Sequence, residues 1–287
     1  MPDSGKKKKS APVDLTIDTD AVIDILKGFI EDSFSKTAAR KAVVGLSGGL
    51  DSSVVAVLAV RALGTDRVLG VIMPYKTSAP ESRTHAQTLA AHIGIQTHTV
   101  DITPMVDSYF ENHRNADDVR RGNFMARQRM AVLYDISARE RGLVIGTSNK
   151  SELLLGYGTI FGDIACAVNP VGDLYKTQIQ QLAEALEIPG EIRLKVPTAD
   201  LVKGQTDEGD LGFSYEEADR LLYLLIDRRF AVDEVEKQGY DAEMAERIMR
   251  LVRKNHFKRI PPLIAKLSSR TIGHEFRYAW DWSSVDT

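Results

Sequence analysis

The stretch from Ala42 to Arg61, AVVGLSGGLDSSVVAVLAVR, constrains the fold of this chain more than any other. A short apolar run, Ala42 to Leu46, breaks at Ser47, Gly48 and Gly49, and apolar residues at helical spacing (Val54, Val55, Leu58, Ala59, Ala62) resume after Leu50, Asp51, Ser52 and Ser53. That order reads as strand, tight glycine turn, helix. Such a turn leaves backbone N–H groups converging beside the positive end of a helix dipole, where an anion is favoured. Gly48 and Gly49 let the main chain approach a phosphate, and Ser47, Ser52 and Ser53 add hydroxyl donors. There is no Gly-Lys-Ser/Thr at the helix start, so the loop is not an ordinary P-loop. Asp51 changes the chemistry. A carboxylate among phosphate donors repels the ligand unless a hard cation bridges them, so the loop predicts a nucleotide together with Mg2+. The plain alternative is a βα turn in which Asp51 or Ser52 only caps the helix.

Composition narrows the class. The 287 residues carry 37 basic and 40 acidic side chains, a net charge of −3, so no global basic field points to nucleic acid. Cys166 is the one cysteine, which excludes an internal disulfide and a cysteine-built zinc site. No apolar run approaches the roughly 20 residues needed to span a bilayer, and no apolar core follows the N-terminal charges. A cytoplasmic protein with no membrane partner is the expectation.

Along the chain, residues 1–12 hold Lys6 to Lys9 between Ser, Gly and Pro and read as a disordered basic arm. Residues 13–275 read as one domain and 276–287, with Trp280 and Trp282, as a tail. A helix is predicted over Asp18–Phe34 with Thr19 or Asp20 as cap, then strands at 42–46, 68–73, 96–100 and 143–146. Helices are predicted over 82–93, 122–142, 174–186, 214–229 and 241–256. Strands alternating with helices predict an α/β fold, a doubly wound parallel sheet whose ligands bind at the carboxyl ends of the strands, with additional C-terminal helices. Ser47, Pro74, Asp101 and Thr147 fall at that rim, and Glu152 follows Thr147 there, with helix capping as its plain role. His85, His92 and His98 have no metal spacing. Arg127 and Arg129 lie two apart on one helix, so one can reach a ligand while the other stays solvated. Gly156–Asp173 reads as a ligand-facing loop, and Lys195–Phe213 as a lid able to exclude water.

The string SGGLDSS resembles the pyrophosphate-binding loop of the N-type ATP pyrophosphatases, Rossmann-like proteins of the adenine nucleotide alpha hydrolase type. Together with GNFMARQRM, with VIGTSNKSE through GYGTIFGD to DLYKTQ, and with PTADLVKGQTDEGDLGFSYEEAD, it resembles the ammonia-dependent NAD synthetases over residues 17–262. The resemblance implies a homodimeric ligase that uses ATP, Mg2+, deamido-NAD and ammonia and releases AMP and pyrophosphate. It implies Gly45, Leu46, Ser47, Gly48, Gly49, Leu50, Asp51 and Ser52 around the ATP phosphates, with Thr147, Lys176 and Thr198. Asp51 and Glu152 would be magnesium ligands. Arg127, Lys258 and His256 would serve deamido-NAD, and Asp207 and Glu208 would contribute from the lid to catalysis along with Asp51 and Lys176.

Several positions depart from the family pattern. Ile160 and Ala167 stand where a lysine and an aspartate usually meet the dinucleotide, Ile72 where an arginine often meets ATP, and His256-Phe257-Lys258-Arg259 carries an extra residue. The similar glutamine-dependent synthetases carry an amidase domain for which 287 residues leave no room, so ammonia arrives free or from a separate glutaminase. The rival readings are another ATP pyrophosphatase, nucleotide-amidating or tRNA-thiolating, and an ATP-binding regulator without chemistry. Thiolation calls for reactive cysteines and a basic face, and a regulator needs only the loop.

Overall fold

The computed structural model describes residues 13–198 and 206–277. The basic arm, the middle of the expected lid (199–205) and residues 278–287 of the tail lie outside the described residues. The chain runs α1 (Thr19–Ser35), β1 (Lys41–Gly45), α2 (Leu50–Leu63), β2 (Val68–Ile72), α3 (Pro80–Ile93), β3 (Gln96–Thr99), α4 (Thr103–Phe110), α5 (Asp118–Glu140) and β4 (Gly142–Ile145). It continues with α6 (Lys150–Leu155), α7 (Lys176–Ala185), α8 (Gly190–Arg193), α9 (Asp207–Leu211), α10 (Tyr215–Leu222), α11 (Val232–Lys237) and α12 (Ala242–Lys254).

The four strands of the described residues form one parallel sheet in the order β3-β2-β1-β4. Alternation along β1 decides the layers. Ala42 and Val44 face one apolar cluster with α1, α2, α3 and α7, while Val43 faces another with α4 and α5. Helix α2 is buried over every residue from Ser52 to Ala59, as expected of a helix that is apolar all round. Because the chain leaves β1 toward β2 on one side and returns to β4 on the other, the order reverses between β1 and β4. A crevice opens there, at the carboxyl ends of both strands.

A third cluster is built from α10, α11 and α12 around Leu155 and Tyr175, so the C-terminal helices carry a core of their own against α6 and α7. None of the described helices is long and apolar enough to cross a membrane.

Local boundaries differ from expectation for identifiable reasons. The cap of α1 is Asp18, whose carboxylate accepts from the Ala21 N–H, not Thr19 or Asp20. Helix α5 begins at Asp118, four residues before the periodic stretch, because the Asp117 side chain caps it through the Arg120 N–H. Helices α4 and α6 are too short to announce a period. The helix expected over 214–229 stops being α at Leu222 and widens to a π turn over Tyr223–Asp227. That turn carries Asp227 under Lys150 at 2.9 Å and the Tyr175 hydroxyl at 3.0 Å.

Candidate active site

Gly48 sits at the apex of the turn after β1 with φ +72°, and a Cβ there would stand 2.0 Å from the Ser82 carbonyl oxygen. Both the left-handed backbone and the approach of the loop to the first turn of α3 therefore require glycine. Gly48→Ala is expected to destabilise the protein by about 2–4 kcal/mol, backbone strain and steric overlap acting together. Urea unfolding checks it, and an unchanged midpoint would contradict it. Inside the loop, Ser47 Oγ accepts from the Gly49 N–H at 3.2 Å, and the Ser52 and Ser53 hydroxyls donate to the Gly49 carbonyl at 3.0 and 2.8 Å. No side chain caps α2, so the capping alternative for Asp51 and Ser52 does not hold and the N-terminal amides of α2 face the crevice.

Three charged groups from distant segments meet beside this loop. The Lys176 ammonium, at the start of α7, donates to Asp51 Oδ2 and lies 3.5 Å from Glu152 Oε1. Asp51 Oδ1 accepts from the Asn149 amide at 2.8 Å. Asn149 also caps α6 reciprocally with Glu152, accepting from its N–H at 3.0 Å while Glu152 Oε2 accepts the Asn149 N–H at 3.2 Å. Glu152 thus has both roles weighed for it. One carboxylate oxygen caps the helix and the other faces the lysine. Asp207 in α9 completes the group, with one oxygen accepting from the Tyr215 hydroxyl at 3.3 Å and the other, Oδ1, buried with no hydrogen-bond partner among the described residues. The aromatic ring of Tyr215 lies 5.5 Å from the ammonium.

Electrostatics follow from this crowding. Burial, reinforced by the Asp51 charge, pushes Glu152 up to about 8 against the pull of Lys176. For Lys176 burial acts downward, but the Asp51 and Glu152 carboxylates outweigh it and the net direction is upward. Burial likewise raises Asp207. Since the folded protein holds the Glu152 proton more tightly than the unfolded chain does, that stabilisation is complete below the unfolded value near 4.5 and is lost as pH rises through about 8. Glu152→Gln, a permanent mimic of the neutral acid, is expected to raise Tm above wild type at pH 9 without metal and to give no advantage at pH 5. Equal Tm differences at both pH values would contradict the assignment.

Among the described residues no three His, Cys, Asp or Glu side chains form a preformed metal cage. Mg2+ asks for less, one or two carboxylates completed by phosphate oxygens and water. Asp51 and Glu152 already flank a cationic nitrogen, and Asp207 Oδ1 is an unsatisfied buried oxygen nearby. This donor set fits a hard divalent ion.

The crevice encloses about 1290 Å³. Gly45, Leu46, Ser47, Gly49, Leu50, Asp51, Ser52, Thr147, Glu152, Lys176, Thr198, Asp207 and Lys258, all among the site residues that the family resemblance implies, line it, and so does Ile72. Lys258 fastens the glycine-rich loop, donating to the Gly156 and Gly158 carbonyls at 2.7 and 2.9 Å.

Gly48, Arg127, Glu208 and His256 do not line the crevice, Gly48 because it turns toward Ser82. Arg127 is exposed and donates to the Ile160 carbonyl at 3.3 Å, while Arg129 lines the crevice and donates to the Met73 carbonyl at 3.2 Å. Glu208 turns away to accept the Tyr215 N–H at 2.9 Å, and exposed His256 lies off the cavity wall. The sequence does not single out Asn149, Asp163, Arg83 or Tyr215, and it marks Lys195 only as the start of the expected lid. Asn149-x-x-Glu152 spells a capping box, a signal that was there to use. Asp163, whose carboxyl burial pushes up, and Lys195, bonded to Ser82 Oγ at 2.8 Å, carry no local signal of a site.

Comparison with known proteins gives the same picture. The NAD synthase family model matches residues 22–262. The chain is 53% identical to the NH(3)-dependent NAD(+) synthetase of Chlorobium phaeobacteroides, covering 95% of this chain and 99% of that one. Among solved structures, NH3-dependent NAD synthetase from Campylobacter jejuni aligns with a TM-score of 0.75 and 35% identity, over 88% of this chain and all of that one. NMN synthetase from Francisella tularensis aligns with a TM-score of 0.78 and 31% identity, again over 88% and 100%. With the family model covering most of its length and relatives about half identical from end to end, the chain belongs to the NAD synthase family.

Proposed function

We propose that this protein makes NAD from deamido-NAD, ATP and ammonia, releasing AMP and pyrophosphate. The observation that carries the reading is the convergence of Asp51, Glu152 and Lys176 at the uncapped N-terminus of α2, inside a crevice large enough for two nucleotides. A carboxylate is a poor acyl donor because oxide is a poor leaving group. An oxygen of the nicotinate carboxylate attacks the α-phosphorus of ATP, the bond to the bridging oxygen breaks, and pyrophosphate leaves. Ammonia then attacks the carbonyl carbon of the acyl adenylate, AMP departs, and a proton is lost as the amide forms.

The residues of the chain supply what this sequence needs. The amides of Gly48, Leu50 and Asp51 and the Lys176 ammonium receive the phosphate charge that grows on the leaving group. Asp51 and Glu152 would hold Mg2+, which when bound neutralises phosphate charge and polarises the P–O bond. Arg129, Arg83 and Lys195 add positive charge along the wall. Incubation with Mg-ATP, deamido-NAD and ammonium is expected to yield NAD, AMP and pyrophosphate in equal amounts. ADP and phosphate, or no turnover, would remove the proposal.

A mononucleotide is the second reading, favoured by the likeness to a protein named NMN synthetase. Nicotinic acid mononucleotide as a parallel substrate separates the two by kcat/KM. We also propose a homodimer, as the family resemblance implies. Sedimentation at micromolar protein is expected to give twice the mass of one chain, and a lone 31.8 kDa species would contradict it.

A further inference from the structure

Asp219, on α10, is a completely buried carboxylate that does not line the crevice. Its Oδ1 accepts the Ser151 hydroxyl proton and its Oδ2 accepts the Thr177 N–H at 2.9 Å. The Ser151 oxygen in turn accepts the Lys176 N–H at 2.9 Å. One carboxylate from the C-terminal helices therefore closes two helix starts at once. It holds the first turn of α6, which presents Glu152, and the first turn of α7, which presents Lys176.

Ser151 is itself fully buried, so neither link is shared with water. Leu221, Leu222 and Ala218 beside Asp219 in the chain are buried in the apolar cluster of the C-terminal helices. In such surroundings a charged side chain carries a desolvation penalty that an apolar residue of like volume would avoid. Its return is geometric. The two backbone N–H groups and the hydroxyl fix the spacing and pitch of α6 against α7, and with them the place where the Lys176 ammonium meets Glu152 and Asp51.

We propose that Asp219 is a positioning residue for the reaction, acting through Ser151 and the first turn of α7 to aim the Lys176 ammonium. The inference rests on the proposed role of Lys176 at the ATP phosphates. Asparagine at 219 keeps size but places an N–H donor where an acceptor stands, so either Ser151 or the Thr177 amide loses its partner. Ser151→Ala removes the hydroxyl link alone.

A double-mutant cycle tests it on the full chain with Mg-ATP, deamido-NAD and ammonium. In the wild-type background Asp219→Asn is expected to lower kcat/KM by about 10–100-fold, as loss of an outer partner of a reacting group does. Ser151→Ala is expected to follow in the same direction. In a Lys176→Met background either substitution is expected to change kcat/KM by less than about three-fold, because what it positions is gone. A residue that only stabilises the fold would lower both backgrounds by the same factor. Equal factors in the two backgrounds, or wild-type rates for both single variants, overturn the proposal. Should Asp219→Asn fail to fold, the Ser151→Ala cycle decides alone. Wild-type turnover in Lys176→Met would instead overturn the reading of the lysine itself, whereas a collapsed Lys176→Met with an additive cycle overturns the positioning role only.

Discussion

Asp51→Asn is expected to lower kcat by about three orders of magnitude while circular dichroism stays close to wild type, with Tm lowered because the buried Lys176 ammonium loses its charged partner. The size follows from position. Asp51 lies in the first turn of α2, one of its oxygens on the Asn149 amide and the other on the Lys176 ammonium, beside the loop proposed to hold the phosphates. Asparagine preserves shape and an acceptor for Asn149, but it removes the negative charge that a divalent ion requires beside a triphosphate. The fold survives because the side chain contributes nothing to capping α2. Steady-state kinetics across a magnesium titration measure the effect. Activity within ten-fold of wild type at saturating metal would refute the role given to Asp51.

Lys176→Met is expected to remove at least as much activity and, in contrast, to disturb the resting protein. In wild type a single ammonium, 3% exposed at the residue level, is shared by two carboxylates. Deleting one member of a buried ion pair leaves uncompensated charge and typically costs about 3–5 kcal/mol. Here the loss is softened because Glu152 already holds its proton to about 8, so at neutral pH the deficit falls mainly on the Asp51 side. The variant is expected to lose stability more steeply than wild type as pH rises from 6 to 9, since the Lys176 charge that favours ionised Glu152 is absent. Denaturant titrations at the two pH values check the sign. A variant with parallel pH dependence would show that the ammonium and Glu152 do not interact as the geometry implies.

The strand–loop–helix at 42–61 was readable because its signals are local and agree with one another. The apolar run, the paired glycines and the resumed helical spacing all name the same element, and the parallel sheet follows from repeating it. Neighbours in sequence were harder. Asp207 and Glu208 read identically as lid carboxylates, yet in the first turn of α9 one projects into the crevice and the other back to the Tyr215 amide. Arg127 and Arg129 pose the same difficulty. Spacing says that they diverge, but only the phase of α5 against β1 and β4 decides that Arg129 is the inner one. Asp219 comes from an amphipathic helix with nothing to distinguish it from ordinary packing, because its partners Thr177 and Ser151 lie 42 and 68 positions away.

The charged centre joins residues 98 and 125 positions apart, Asn149 and Lys176, to the same Asp51. Contacts of such span close large loops and form late on the way to the native state. Regained turnover after dilution from denaturant therefore reports the whole architecture, and it is expected to lag behind recovery of the far-UV helical signal.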